Sequence, residues 1–101
     1  MRRGTTTQLI LSLSEELELD SFYVTFKQGG KVIIEKTEKD CIVDGTVITV
    51  PLSQEDTLAM TAGTTPVLVQ LRGLIGDTAI ATSIERVYAG EILKDGVIPS
   101  D

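Results

Sequence analysis

The sequence predicts an all-β fold, a single domain of about seven short strands stacked as two antiparallel sheets. Three observations lead there. Apolar and polar side chains alternate in short runs, as in Phe22, Val24 and Phe26, and that period of two belongs to a half-buried strand. Turn-forming pairs separate the runs: Gly29-Gly30, Asp44-Gly45 and Gly76-Asp77. No stretch sustains an apolar helical period over the roughly 12–15 residues a self-standing helix needs.

Taken in order, Thr5–Leu13 reads as the first strand, with Leu9, Leu11 and Leu13 on one face and Gln8, Ile10 and Ser12 on the other. Ser14–Asp20 is too short for a helix and reads as one turn capped by Ser14 or as a polar connection. The strongest signal follows. Residues 20–37 form a hairpin: the Phe22–Phe26 alternation, then two glycines that accept positive φ, then the β-branched Val32-Ile33-Ile34. Glu38-Lys39-Asp40 turns the chain into a short Cys41–Val43 strand, and Asp44-Gly45 returns it through Thr46–Val50. Pro51 is expected to end that strand or to place it at an edge. Ser53-Gln54-Glu55-Asp56 has the form of a capping box, which predicts a short helical turn within Gln54–Met60.

Thr61–Thr65 is a loop and Pro66 opens a strand over Val67–Leu74. Gly76-Asp77 then leads into the last long strand, Thr78–Tyr88. Residues 89–101 read as an extended arm anchored by Ile92, Leu93, Val97 and Ile98, and residues 1–5 as an N-terminal arm. Short strands with turn signals every 8–12 residues are the pattern of an immunoglobulin-like sandwich, here without Trp and without a cysteine pair.

A chain of 101 residues suits one domain, here spanning 1–101. With 42% hydrophobic and 24% charged residues it is globular in composition. The formal net charge of −6 disfavours nucleic acid and anionic membrane as partners, because both need clustered Lys and Arg. No apolar run reaches the roughly 20 residues of a membrane span, and the Leu9–Leu13 run is too short for a secretory signal core. The single cysteine, Cys41, fits a reducing compartment.

Residue types argue against catalysis. There is no histidine, which removes the usual general base, most zinc sites and every His-dependent triad. Cys41 sits beside Asp40, where a thiolate gains no stabilisation, so it reads as a strand residue. Glu15, Glu16, Glu18 and Asp20 lack the alternation of a calcium loop and read as a solvated connection. Asp40 and Asp44 flank one short strand, but the turn already explains Asp44. Gly29-Gly30 has no following helix start and no Gly-Lys-Ser/Thr, so it is not a phosphate loop. The prediction is a non-enzyme with no metal or other cofactor. Tyr23 and Tyr88 are candidates for exposed contacts. The sparsely charged Thr46–Val50 and Val67–Leu71 stretches raise the question of open sheet edges.

Several stretches carry a resemblance. Met1-Arg2-Arg3-Gly4-Thr5-Thr6 runs into a strand, and Tyr23-Val24-Thr25-Phe26-Lys27-Gln28 precedes a Gly-Gly-Lys turn. Leu52–Leu58, Ala81-Thr82-Ser83 and Tyr88–Leu93 complete the set. Together they resemble small tail-module proteins of phages and prophages of Gram-positive bacteria, over nearly the whole chain. The chain is more distantly similar to the N-terminal immunoglobulin-like domain of baseplate upper proteins. The resemblance implies a virion or tail-assembly protein, made in the host cytoplasm and built into a particle. Its partners would be other tail or baseplate proteins or further copies of itself, and it brings no active site.

The residues expected at such contacts are Arg2, Arg3 and Gly4 of the N-terminal arm and Tyr88 with Ile92, Leu93, Val97 and Ile98 of the C-terminal arm. The alternative for the C-terminal arm is that it folds back on its own sheet. The alternative for the whole chain is a small ligand- or carbohydrate-binding module, for which two tyrosines and no tryptophan make a thin stacking platform.

Overall fold

The computed structural model describes residues 1–13, 19–90 and 96–99. The chain is mostly strand, arranged as two antiparallel sheets. One is three-stranded, in the order β1 (Thr7–Ser12), β5 (Val47–Leu52), β4 (Ile42–Asp44). The other runs β3 (Lys31–Thr37), β2 (Ser21–Gln28), β6 (Val67–Ile75), β7 (Thr78–Ala81), and β8 (Glu85–Val87) also pairs with β6. A 3-10 turn over Glu38–Asp40 and a one-turn helix, α1 (Gln54–Leu58), connect strands. Among the described residues no helix is long and apolar enough to cross a membrane.

The inner faces of both sheets feed one core. Leu11, Ile48, Val50 and Leu52 from the first meet Phe22, Val24, Phe26, Ile34, Val67, Val69 and Leu71 from the second. Each is 9% exposed or less, so each contributes on the order of 1.5–3 kcal/mol by burial. Met60, beyond the end of α1, and Ala89, beyond β8, close the core at one end.

The Phe22–Phe26 alternation works as read: Phe22, Val24 and Phe26 are buried and Tyr23 is half exposed. Gly29 and Gly30, at φ 61° and 77°, make a two-residue turn between Gln28 and Lys31. A bulge then leaves Ile33 without a partner between the pairs Phe26↔Ile34 and Lys27↔Val32. The Asp44-Gly45 hairpin forms one residue further on than its sequence suggests. Asp44 still pairs with Val47, so Gly45 and Thr46 make the turn.

Two expectations need correction. Pro51 neither ends its strand nor puts it at an edge, since β5 continues to Leu52 and is the central strand of its sheet. Leu13 N–H donates to Thr46 C=O, so alternation points the even-numbered residues of β5 at β1 and the odd-numbered ones at β4. On that side β4 stops at the Ile42↔Thr49 pair, and Pro51 therefore removes no ladder bond. The predicted Thr78–Tyr88 strand is also broken. β7 and β8 follow the same edge of β6 but are interrupted at 82–84, where Thr82 Oγ1 accepts Leu71 N–H at 3.1 Å in place of a backbone carbonyl. The expected turn at Ser14 lies mostly in 14–18, outside the described residues.

Candidate functional site

The expected contact residues that the structure describes gather at the end of the molecule that carries α1. Ser53 starts this helix through a reciprocal cap: its Oγ accepts Asp56 N–H at 3.2 Å, and Asp56 Oδ2 accepts Ser53 N–H at 2.9 Å. Thr57, fully buried, donates from Oγ1 to Thr5 C=O at 2.8 Å and fixes the helix beside the start of β1.

The N-terminal arm is bound to its own chain. Arg2 pairs parallel with Gly90 through Gly90 N–H to Met1 C=O at 2.7 Å and Arg3 N–H to Gly90 C=O at 3.1 Å. The terminal ammonium of Met1 donates to Tyr88 C=O at 3.1 Å. Gly4, at φ 71°, takes the left-handed conformation in the turn that follows. Arg3 reaches inward and donates Nε to Met60 C=O at 2.6 Å and Nη2 to Leu58 C=O at 3.1 Å. A guanidinium fork thus holds the exit of α1, where carbonyls would otherwise lack partners.

The C-terminal segment docks at the opposite end of the same helix. Gln54 Nε2 donates to Ile98 C=O at 3.1 Å, and Ile98 N–H donates to Gln54 Oε1 at 2.8 Å. This backbone is held by its own chain, yet Val97 and Ile98 keep their side chains 49% and 61% exposed. At Ile98 the backbone is held by α1 while the side chain is presented outward. Tyr88 is 54% exposed, above the pairing that secures its carbonyl. Ile92 and Leu93 lie outside the described residues. Arg2, Arg3, Gly4 and Tyr88 come together, while Val97 and Ile98 join them through α1.

Two groups that sequence reasoning passed over complete this end. Gln28 is 8% exposed, and both ends of its amide are used. Nε2 donates to Thr61 C=O at 2.8 Å and Thr65 C=O at 3.0 Å, while Oε1 accepts Thr61 N–H at 2.7 Å. The 61–65 loop is organised on that side chain. The alternation from Phe22 could have located it, because period two places Gln28 on the inner face. The second is a cation between two caps: Lys36 Nζ donates to Asp56 Oδ2 at 2.7 Å, beside the Thr37–Asp40 capping box.

Burial raises the Asp56 carboxyl, but the bonds from Lys36 and Ser53 outweigh it and hold the group below the usual carboxylate range. Asp40 is lowered chiefly by the Thr37 N–H. Asp56 is the carboxylate that opposes that shift. The surface hollow of about 380 Å³ that holds Lys36, Asp40 and Asp56 thus carries carboxylates engaged in capping. Burial and then Asp40 push the Cys41 thiol up, so it stays protonated. Among the described residues no buried side-chain nitrogen or oxygen lacks a partner, and no three His, Cys, Asp or Glu gather as metal ligands.

No protein family, curated protein or solved structure matches the chain.

Proposed function

We propose that this protein is a non-enzymatic structural component of a phage or prophage tail or baseplate, working through protein–protein contacts. The observation that carries the reading is the α1 end. There, hydrogen bonds hold the backbone at Met1, Arg3, Tyr88, Gly90 and Ile98 internally while Tyr88, Val97 and Ile98 stay exposed. Anchored backbone with exposed apolar side chains is a preorganised contact surface, which costs little entropy to dock. The sequence resemblance to tail-module proteins supplies the setting, and a virion location follows from it.

The finer fold belongs with the same proposal. An immunoglobulin-like sandwich has sheets A-B-E-D and C-F-G, and some members add C′ beside C. With strand A left out, the order β1-β5-β4 reads as B-E-D and β3-β2-β6-β7 as C′-C-F-G. The broken β7–β8 edge takes the place of G.

The test is particle incorporation. In an induced lysogen carrying the gene, the chain is expected in purified particles at fixed copy number. Tyr88→Ala combined with Ile98→Ala should cut incorporation while the free protein keeps its melting temperature. Particles that assemble normally and lack the chain would remove the reading.

A further inference from the structure

We infer that two copies of this chain pair antiparallel through β1, joining their three-stranded sheets into one across a twofold axis centred on Ile10. This goes beyond the tail reading and stands apart from it, since it concerns the isolated chain.

β1, β4, β3 and the β7–β8 line each border a sheet. Edges left open invite pairing, and proteins guard them with charge, bulges, breaks or brevity. Three of the four are guarded here. β4 has only three residues and ends in Asp44. β3 carries Lys31, Glu35 and Lys36 and a bulge at Ile33. The β7–β8 line is interrupted at 82–84 and bears Glu85 and Arg86. β1, Thr-Gln-Leu-Ile-Leu-Ser, has no charge, no proline and an unbroken register from Thr7↔Leu52 to Ser12↔Val47. Among the described residues nothing pairs with its outer edge.

Hydrogen-bond direction fixes which groups are offered. Leu13 N–H points at Thr46, so alternation aims Leu9 and Leu11 at β5 and leaves the N–H and C=O of Gln8, Ile10 and Ser12 facing outward. A groove of about 400 Å³ runs along this edge, with Thr82, Ser83, Glu85, Arg86 and Val87 on its far wall.

The edge is complementary to itself. A twofold centred on Ile10 sets Ile10 against Ile10, and Gln8 against Ser12 in both directions. Every outward donor then meets an acceptor, in about six main-chain bonds. Ile10, 55% exposed in the single chain, gains an apolar partner directly opposite. The amide of Gln8 meets the hydroxyl of Ser12. A chain carrying −6 would resist self-association through most of its surface. This strand carries none of that charge.

Sedimentation velocity on the full chain should show a species of twice the 10.9 kDa mass at high micromolar concentration. Ile10→Lys and Ile10→Glu should each be monomeric with an unchanged circular dichroism spectrum. Mixed in equal amounts, they should form a heterodimer, because the two side chains would face each other. On the native protein, exchange of the Gln8, Ile10 and Ser12 amides should slow at least tenfold between low and high concentration. A monomer at every concentration, or a dimer that survives Ile10→Lys unchanged, overturns the proposal. So does exchange at those amides that ignores concentration.

Discussion

Lys36 and Asp56 meet at 2.7 Å, each side chain 19% exposed, and the pair ties the end of β3 to the first turn of α1. The same Asp56 oxygen accepts the Ser53 amide, so one carboxylate caps a helix and anchors a strand. Thr37, next to Lys36, starts a second cap, donating both its N–H and its Oγ1 to Asp40 Oδ2. Turns at residues 37–40 and 53–56 are thereby fixed side by side, and α1 is positioned for both arms.

Asp56 is held ionised in the folded state below its ordinary range. Its contribution is therefore present above about pH 4 and lost as pH falls through the lowered folded value. Asp56→Asn keeps the capping geometry and removes the charge. It should cost about 0.5–1 kcal/mol at neutral pH. The gap between variant and wild type should close on acidification below about pH 4, as thermal melts would show. A gap that is constant with pH would mean that the charge does nothing.

Gln28 is the only support for three backbone groups of the 61–65 loop that the described contacts provide from a side chain. Gln28→Met preserves length and apolar fit but leaves the Thr61 N–H and the carbonyls of Thr61 and Thr65 to find water. The expected loss is roughly 2–4 kcal/mol by urea unfolding, with the m-value unchanged. Faster exchange at the Thr61 amide should accompany it.

How much of this was legible depended on whether the cause was local. Phe22–Phe26 alternation, the Gly29-Gly30 turn and the Ser53–Asp56 cap are set by residues within a few positions of one another, and each formed where expected. Pro51 misled because proline's cost depends on which neighbour its missing N–H faces, and β4 had already ended there. The break at Thr82 depends on a hydroxyl meeting Leu71, a partner eleven residues away. Arg2, Arg3 and Gly4 read from the sequence as an arm, and only the fold shows Arg3 turned toward Leu58 and Met60. Long-range partners have no signature in a single strand's pattern.

Gly73 illustrates the same limit and gives a sharp test. It lies in β6 opposite Phe22, and a Cβ there would sit 2.8 Å from Ser21 C=O and 2.9 Å from Phe22 Cβ. Both neighbours are backbone or near-backbone atoms that cannot swing away. Gly73→Ala should destabilise by about 1–3 kcal/mol, although alanine ordinarily favours a strand over glycine. With a domain near 100 residues, the melting temperature should fall about 4–8 °C per kcal/mol. A neutral or stabilising outcome would show that β2 and β6 separate easily.

Arg3 offers the most direct probe of the arm. Its two bonds to Met60 and Leu58 carbonyls join residues more than fifty positions apart, and they close the end where Ala89 and Met60 seal the core. Arg3→Ala should cost about 1.5–3 kcal/mol, the range for hydrogen bonds to a charged group. Arg3→Lys should recover only part of this, since one ammonium lacks the fork that spans two carbonyls. Hydrogen exchange separates a clasp from an ornament. With Arg3→Ala, the amides of position 3 and Gly90 should exchange faster while those of Val24 and Leu71 keep their protection, because only the end of the molecule opens. Uniform loss of protection would place Arg3 in the global fold, and no loss anywhere would mean the arm holds without it.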